Sequence, residues 1–183
     1  MHHNFGGNMA LNRKKKHFMR VYTKIGDVFS VKIDENNKKF FQLIAFDLTQ
    51  LNSDVIRAFK NIYSINENPN LSEIVNKDVE FYAHCVAKWG VKMNLWEKVG
   101  NTTEIGDITH ILFRGTSDSG SKPGEQVKVS YKWYVWNING KFRDVGKLVG
   151  ENRKAEIGTV VNPYDIVERI KTGKYSFFYP DFE

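Results

Sequence analysis

The chain contains 183 residues, of which 41% are hydrophobic, 14% aromatic and 26% charged, as in ordinary globular proteins. This composition excludes a disordered or fibrous chain, and no stretch approaches the roughly 18 consecutive apolar residues of a membrane-spanning helix. The single cysteine, Cys85, excludes an internal disulfide and is typical of a reducing compartment. We therefore expect a soluble, cytoplasmic protein with no membrane insertion.

The net charge of +6 comes entirely from the N-terminal end of the chain. The first 24 residues contain no acidic side chain and carry the basic residues Arg13, Lys14, Lys15, Lys16, Arg20 and Lys24. The remaining residues hold 21 basic and 21 acidic side chains, so they are electrically balanced. We predict that residues 1–21 form a basic, flexible arm and that residues 22–183 form a single β-rich domain.

The first predicted elements are two strands that form a hairpin. Residues 27–33 alternate apolar and polar side chains, and residues 34–37 have the composition of a turn. Residues 40–46 are bulky and apolar enough for a strand that is buried on both faces. Residues 54–63 fit either a helical stripe or a strand, and their β-branched and aromatic side chains favour the strand.

Several later segments are predicted as strands and one as a short helix. The strands are residues 79–88, 107–114, 127–138 and 157–161. Asn139-Gly140 follows the third of these and is typical of a two-residue hairpin turn. Asn70 lies three residues before Glu73, the spacing of a capping box, and this predicts a helix over residues 71–76.

The clearest helix is predicted near the C-terminal end of the chain. Asn162 can cap this helix, Pro163 suits its first position and Gly173 can end it. The aromatic residues that follow are expected to pack back on the body: Tyr175, Phe177, Phe178, Tyr179 and Phe182. The predicted fold is α+β and mostly β, an antiparallel, strongly bent sheet or partly open barrel with one C-terminal helix.

No residue pattern predicts a catalytic, metal or cofactor site. His84 and Cys85 are adjacent on a predicted strand, so their side chains point to opposite faces and cannot share a metal ion or act as a catalytic pair. Residues 115–125 nearly have the spacing of a phosphate-binding loop, but a serine separates the second glycine from Lys122, and no helix follows. We interpret this segment as a flexible surface loop, of the kind that carries partner contacts.

Six short motifs, taken in chain order, carry a resemblance to a known family. They are Lys24-Ile25-Gly26-Asp27-Val28-Phe29-Ser30-Val31, a Phe-rich second strand, the element from Pro69 to Val75, Leu95-Trp96-Glu97-Lys98-Val99-Gly100-Asn101, Trp133-Tyr134 before a Gly-containing turn, and Asn162-Pro163-Tyr164-Asp165-Ile166-Val167-Glu168-Arg169-Ile170. Together they resemble the immunity protein 26 family over residues 22–173. This chain departs from the family pattern in its basic arm, its loop over residues 115–125 and its aromatic tail.

The resemblance implies a mostly β, single-domain antidote of bacterial polymorphic toxin systems that binds a cognate toxin protein. It implies no catalytic residue and no cofactor. The expected contact residues belong to the loop and to aromatic side chains that we expect to be exposed nearby: Trp96, Trp136, Ser117, Asp118 and Lys122. A few aromatic anchors dominate most protein interfaces, which is why tryptophans are the natural candidates.

Two other classes of function remain open at this point. A nucleic-acid-binding β-barrel would stack bases on strand aromatics and contact phosphates through the arm residues Arg13, Lys14, Lys15, Lys16 and Arg20. The balanced charge of the body disfavours this interpretation and also an electrostatic mimic of nucleic acid. A small enzyme would require a cleft in which histidines and carboxylates converge, and no spacing in the sequence predicts one.

Overall fold

The computed structural model describes residues 20–183. The strands are β1 (Asp27–Lys32), β2 (Asn37–Asp47), β3 (Ser53–Phe59), β4 (Tyr63–Ser64), β5 (Val79–Cys85), β6 (Glu97–Asn101), β7 (Leu112–Thr116), β8 (Trp133–Asn137), β9 (Arg143–Gly146), β10 (Glu156–Ile157) and β11 (Val160–Val161). The α-helices are α1 (Leu71–Val75), α2 (Ala87–Lys92) and α3 (Pro163–Thr172), and a 3-10 helix covers Gly150–Lys154. The predicted α+β, mostly β class is confirmed. Within the described residues, no helix has the length and apolar character needed to cross a membrane.

The first sheet has the strand order β11-β5-β3-β2-β1-β6, and β4 pairs with β2. β1 and β2 form the predicted antiparallel hairpin, in which Phe29 lies opposite Phe41. Nearly every side chain of β2 is buried, as expected for a strand covered on both faces. The ambiguous residues 54–63 are strand up to Phe59, so the preference for strand is confirmed there.

The second sheet has the order β10-β7-β8-β9. β8 and β9 form the predicted hairpin, but their connection covers residues 138–142 rather than Asn139 and Gly140 alone, and of these two residues only Asn139 has a positive φ, of 59°. The strands thus divide between two sheets rather than forming one bent sheet. The division arises because the connection that follows β6 crosses the first sheet, where Arg57 Nη2 donates to the Glu104 carbonyl at 2.8 Å, before β7 begins a separate sheet.

The prediction of one strand over residues 157–161 is wrong. β10 pairs in parallel with β7 in the second sheet, whereas β11 pairs in parallel with β5 in the first. The chain crosses between the sheets at Gly158, where a Cβ atom would lie 1.9 Å from Cη2 of Trp136 and 2.7 Å from the Arg114 carbonyl oxygen. Only glycine therefore fits at this crossing, and the crossing interrupts what the sequence alone presents as a continuous strand.

Two of the helices form as their capping residues predict. Asn70 Oδ1 accepts the Glu73 amide at 2.8 Å at the start of α1. Asn162 Oδ1 accepts the amides of Tyr164 and Asp165 at 2.9 and 3.1 Å, and Gly173 ends α3 with a φ of 79°.

Helix α2 was not predicted, because the pattern of residues 79–88 predicts a single strand up to residue 88, whereas β5 ends at Cys85. The Asp54 carboxylate accepts the Ala87 amide at 2.7 Å at the first position of α2. A side chain from another strand therefore supplies the acceptor that no residue preceding the helix provides.

A buried carboxylate, Asp47 at the end of β2, joins the two sheets. Its Oδ2 atom accepts His84 Nε2 of the first sheet at 3.0 Å and Trp136 Nε1 of the second sheet at 3.1 Å. Its Oδ1 atom accepts the amides of Gln50 and Asn139, each at 3.3 Å. Asp47 and His84 are both fully buried, so the bonds from His84 and Trp136 lie in the low-dielectric interior, whereas those from the Gln50 and Asn139 amides are partly buried.

Burial and hydrogen bonding act in opposite directions on the pKa values of His84 and Asp47. Burial lowers the pKa of His84, and its hydrogen bond to Asp47 offsets this only in part. Burial by itself would raise the pKa of Asp47, but the hydrogen bonds from His84, the Gln50 amide and Trp136 outweigh burial and hold that pKa below its ordinary range. Both directions favour a neutral imidazole facing an ionised carboxylate.

The aromatic tail packs against both sheets, as predicted. Tyr175 and Phe177 contact the main core cluster of the first sheet. Tyr179 and Phe182 cover the outer face of the second sheet, with ring centroids 6.1 and 6.2 Å from that of Trp133. Phe178 is the exception among the aromatic residues expected to pack on the body, because 48% of its surface is exposed.

Candidate partner-binding surface

The connection between β7 and β8 covers residues 117–132 and is closed at its base by a main-chain bond. The Ser117 amide donates to the Lys132 carbonyl at 3.0 Å, and Asp118 turns inward beside it. Asp118 Oδ2 accepts Ser130 Oγ at 2.8 Å and the amides of Tyr131 and Lys132 at 2.7 and 3.1 Å. The predicted loop therefore starts two residues later than expected, since Gly115 and Thr116 belong to β7.

An open groove of about 570 Å³ runs along this loop, which we call the loop groove. Residues 118–127 form one wall, and Phe178 and Pro180 of the tail form the other. Lys122 and Glu125 close a turn within the loop: the Lys122 amide donates to Glu125 Oε2 and the Glu125 amide to the Lys122 carbonyl, each at 3.1 Å. The groove thus presents a short, self-bonded loop beside an exposed aromatic ring.

The tail holds the second half of the loop in place. Val129 and Asp181 form an isolated parallel bridge, in which the Ser130 amide donates to the Asp181 carbonyl at 2.9 Å and the Asp181 amide to the Lys128 carbonyl at 2.8 Å. Tyr131 Oη donates to Glu183 Oε1 at 2.7 Å. The position of the loop therefore depends on residues that follow α3.

A second exposed aromatic surface lies on the same sheet. Phe142 is 49% exposed, and its ring centroid lies 4.8 Å from that of Tyr134 and 5.0 Å from that of Trp136. Tyr134 lies opposite Gly115, where a Cβ atom would be 2.4 Å from the tyrosine Cζ. The loop joins β8 at Trp133, whereas Phe142 belongs to the connection that leaves β8 at Asn137, so Phe142 and the loop groove lie toward opposite ends of the second sheet.

Comparison with known proteins identifies the family of the chain. The family described as Immunity protein 26 matches residues 24–123, which is more than half of the chain. The chain belongs to this family. The match spans β1 to β7 and the first part of the loop, and residues 124–183 lie outside it. A search of curated proteins and a search of solved structures found no match.

Membership makes the chain an immunity protein of a toxin system, and the resemblance in the sequence is confirmed. Of the predicted contact residues, Ser117 and Lys122 are exposed, and Asp118 and Lys122 lie together along the loop groove. The side chain of Asp118 is 16% exposed because its oxygens face the main chain of the loop. The polar part of the predicted set therefore occupies one surface of the immunity protein.

The expectation that Trp96 and Trp136 are exposed is wrong. Their exposed fractions are 2% and 1%, and they lie in different core clusters. Trp96 Nε1 donates to the Ala87 carbonyl at 2.9 Å and its ring packs edge-on against Phe41, whereas Trp136 bonds to Asp47 between the sheets. Both indoles are buried with their polar atom satisfied, which is how tryptophan is accommodated in a core.

Sequence reasoning missed two exposed aromatic residues, Phe142 and Phe178. Phe142 lies two residues after the predicted turn Asn139-Gly140, and aromatic residues near a turn are candidates for exposure. Phe178 carries no local signal, because its neighbours Phe177 and Tyr179 are equally aromatic and both pack on the body. Only the tertiary structure separates these three rings.

The alternative nucleic-acid site rests mainly on residues outside the described range. Arg13, Lys14, Lys15 and Lys16 precede residue 20, where the described structure begins. Arg20 is exposed, with its guanidinium 5.1 Å from the centre of the Tyr22 ring. Arg20 is thus the only member of that set with a described position, and it contacts an exposed tyrosine.

The side chains of His84 and Cys85 lie on opposite faces of β5, as predicted. His84 belongs to the cluster between the sheets, and Cys85 packs in the core beneath α3. Burial raises the pKa of the Cys85 thiol well above its ordinary value, so the thiol stays protonated. Among residues 20–183, no group of histidine, cysteine and acidic side chains is arranged to hold a metal ion.

Proposed function

We propose that this protein neutralises a toxin domain by binding it and occluding its active surface. Family membership carries this proposal, because an immunity protein exists to protect a cell from a toxin. The toxin system is proposed to be a bacterial polymorphic system, with the immunity protein acting in the cytoplasm of the producing cell. Residues 22–183 would act as one β-rich domain, and binding rather than catalysis would give protection.

The proposed contact surface is the end of the second sheet that carries the loop groove. Phe178 is 48% exposed beside polar loop residues, an arrangement of an aromatic anchor within a polar rim that suits protein interfaces. Ser117, Asp118 and Lys122 are proposed as part of that rim. Trp96 and Trp136 are buried and are not proposed as contacts.

The first experiment is a pull-down from the native strain with this protein as bait, with and without residues 1–20. A stoichiometric toxin domain that is retained after removal of the arm supports the proposal. Recovery of nucleic acid that depends on the arm, with no protein partner, contradicts it and favours the alternative function, whose signature is binding that weakens steeply with added salt.

A matched pair of variants then tests the surface. Phe178→Ala removes an exposed ring beside the loop groove. Tyr164→Ala removes a ring that is 63% exposed at the start of α3, the helix that packs on the first sheet. We expect Phe178→Ala to weaken toxin binding about ten-fold or more, as for an interface anchor, and Tyr164→Ala to leave it unchanged. Equal affinities for both variants would remove the loop groove from the interface.

A further inference from the structure

A second groove, of about 390 Å³, lies between β10 and the C-terminal end of α3, and its lining is unusually rich in cations. We call it the basic groove. Its charged lining residues are Arg114, Arg153, Lys154, Arg169, Lys174 and a single carboxylate, Glu156. This excess contrasts with the balanced charge of residues 25–183 as a whole.

Two of these cations are already paired. Arg169 Nη2 lies 2.8 Å from Glu156 Oε2, and Lys154 Nζ lies 2.8 Å from Glu151 Oε2. Arg153 Nη1 donates to the main-chain oxygen of Glu183 at 2.5 Å, and within the described part of the chain no side-chain carboxylate lies within 4.0 Å of the cationic nitrogens of Arg114, Arg153 or Lys174. The groove therefore holds more positive charge than its own residues neutralise.

Arg114 is the central residue of this groove. Its guanidinium lies between three rings, 5.7 Å from the centre of Trp133, 6.0 Å from Tyr179 and 4.9 Å from Phe182. One Nη1 bond goes to the Ala155 carbonyl, while its buried Nε atom has no hydrogen-bond partner among residues 20–183. A desolvated cation of this kind is ordinarily paired with an anion, because burial without one is costly.

The electrostatics of Arg114 agree with this geometry. Burial lowers the pKa of Arg114, Tyr179, Glu156 and Asp181 act in the opposite direction, and the neighbouring cation of Arg169 lowers the pKa further. An anion placed in the groove would favour the charged guanidinium and reduce its repulsion with Arg169.

The lining also indicates which anion fits. Glu156 in the groove, and Glu151 beside Lys154, would repel a continuous polyanion such as a nucleic acid backbone. An isolated carboxylate meets less of this repulsion than a chain of phosphates does, and the planar guanidinium matches its two oxygens. Tyr175 and Phe177 add an apolar wall against which the stem of an acidic side chain can pack.

We propose that the basic groove binds an Asp or Glu side chain from an acidic segment of the toxin. This inference rests on the proposed function, and it adds the chemistry of the partner. The two grooves are adjacent along the tail, because Phe177 lines the basic groove and Phe178 lines the loop groove. One partner can therefore insert an apolar contact in the loop groove and a carboxylate in the basic groove.

The test compares two double variants of equal net charge. Arg153→Gln/Lys174→Gln removes cations from the basic groove, and Lys60→Gln/Lys88→Gln removes exposed cations elsewhere on the surface. Toxin affinity is measured by calorimetry between about 50 and 300 mM salt. We expect the groove variant to bind about ten-fold more weakly at low salt, with a shallower salt dependence, and the control to match the wild type.

A toxin affinity of the groove variant equal to that of the wild type, with the same salt dependence, would overturn the proposal. Arg114→Lys adds a second measurement, because it keeps the charge and loses the planar fork. We expect weaker toxin binding from Arg114→Lys once an unchanged unfolding midpoint has shown that the variant folds. Unaltered affinity of a folded Arg114→Lys variant would remove Arg114 from the proposed site.

An NMR titration separates failure of this inference from failure of the proposed function. A short peptide with one glutamate flanked by glycines is added to the free protein, and the matched peptide with one glutamine and inorganic phosphate are added separately. We expect the glutamate peptide to shift the amide signals of Ala155, Lys174 and Tyr175, and the glutamine peptide to leave them unchanged. If these shifts appear but no toxin is captured, the proposed function fails and the carboxylate site stands. If only phosphate produces shifts, the assignment of the groove to a carboxylate is overturned.

Discussion

Asp47 and Asp118 use the same chemistry in two regions of the molecule, with opposite consequences. Each carboxylate accepts main-chain amides and side-chain donors, yet Asp47 is fully buried between the sheets whereas Asp118 lies at the base of a surface loop. The side-chain donors of Asp47, His84 Nε2 and Trp136 Nε1, are buried and have no access to water if the carboxylate is removed. The Tyr131 and Lys132 amides that donate to Asp118 belong to exposed residues. Burial therefore decides whether such a cluster stabilises the whole fold or only orders a loop.

The largest effect is expected from Asp47→Ala. This change leaves the buried donors His84 Nε2 and Trp136 Nε1 without their acceptor at the point where the two sheets meet. We expect the free energy of unfolding to fall by about 3–5 kcal/mol, measured by urea denaturation. Asp144→Ala, at an exposed carboxylate on β9, is the control and should change it by less than about 0.5 kcal/mol. Similar losses from both variants would contradict the role given to Asp47.

The same cluster predicts that acid destabilises the fold. Because burial lowers the pKa of His84 in the folded state, the unfolded chain takes up the proton first as the pH falls through about 6.5, and stability is lost below that pH. The lowered pKa of Asp47 acts in the same direction at more acidic pH, since its stabilising contribution is lost as the carboxylate is protonated.

Denaturation at a series of pH values, from neutral to mildly acidic, measures this effect. His84→Gln keeps a donor for Asp47 and removes the titration, so its stability should depend less on pH than that of the wild type. His110→Gln, at an exposed histidine, should retain the wild-type dependence. A parallel pH dependence in all three proteins would exclude His84 as the source of acid sensitivity.

An intermediate effect is expected at Asn162, where an exposed side chain caps a helix that packs on the first sheet. Asn162→Ala removes the acceptor for the Tyr164 and Asp165 amides, and we expect it to reduce stability by about 1 kcal/mol. Asn162→Ser supplies a hydroxyl acceptor and should recover most of that loss. Equal instability of the two variants would mean that the cap is not the source of the effect.

The elements that sequence reasoning predicted correctly are those fixed by neighbouring residues. The hairpin of β1 and β2 follows from alternation and a polar turn, and α3 follows from Asn162, Pro163 and Gly173. The opposite orientation of His84 and Cys85 follows from the two-residue period of a strand. None of these predictions needs to know which distant segment lies alongside.

The features that were missed depend on contacts between distant segments. Asp47 and Trp136 meet although they are far apart in the chain, so no local pattern could indicate that Trp136 is buried rather than exposed. The helix that starts at Ala87 needs the Asp54 carboxylate of another strand. The basic groove assembles Arg114 from β7 with Arg169 from α3, and the balanced composition of the body concealed this local excess of charge.

The smallest effect on global stability is expected from Asp118→Ala, and it completes the comparison with Asp47. The variant frees the amides of Tyr131 and Lys132, which water can then solvate at the surface, while the buried Ser130 Oγ keeps its hydrogen bond with Thr116 Oγ1. We expect the unfolding midpoint to stay close to that of the wild type, while hydrogen exchange at these two amides becomes faster. Toxin affinity should fall several-fold, because binding must then order the loop.

Asp118→Asn keeps one oxygen acceptor and should lie between the wild type and Asp118→Ala in exchange rate and in affinity. A shift of the unfolding midpoint as large as that of Asp47→Ala would contradict the distinction between the two carboxylates. Faster exchange with unchanged toxin affinity would instead keep the loop-ordering role of Asp118 and place the toxin contact elsewhere on the second sheet. The two readouts therefore test the order of the loop and its role in binding separately.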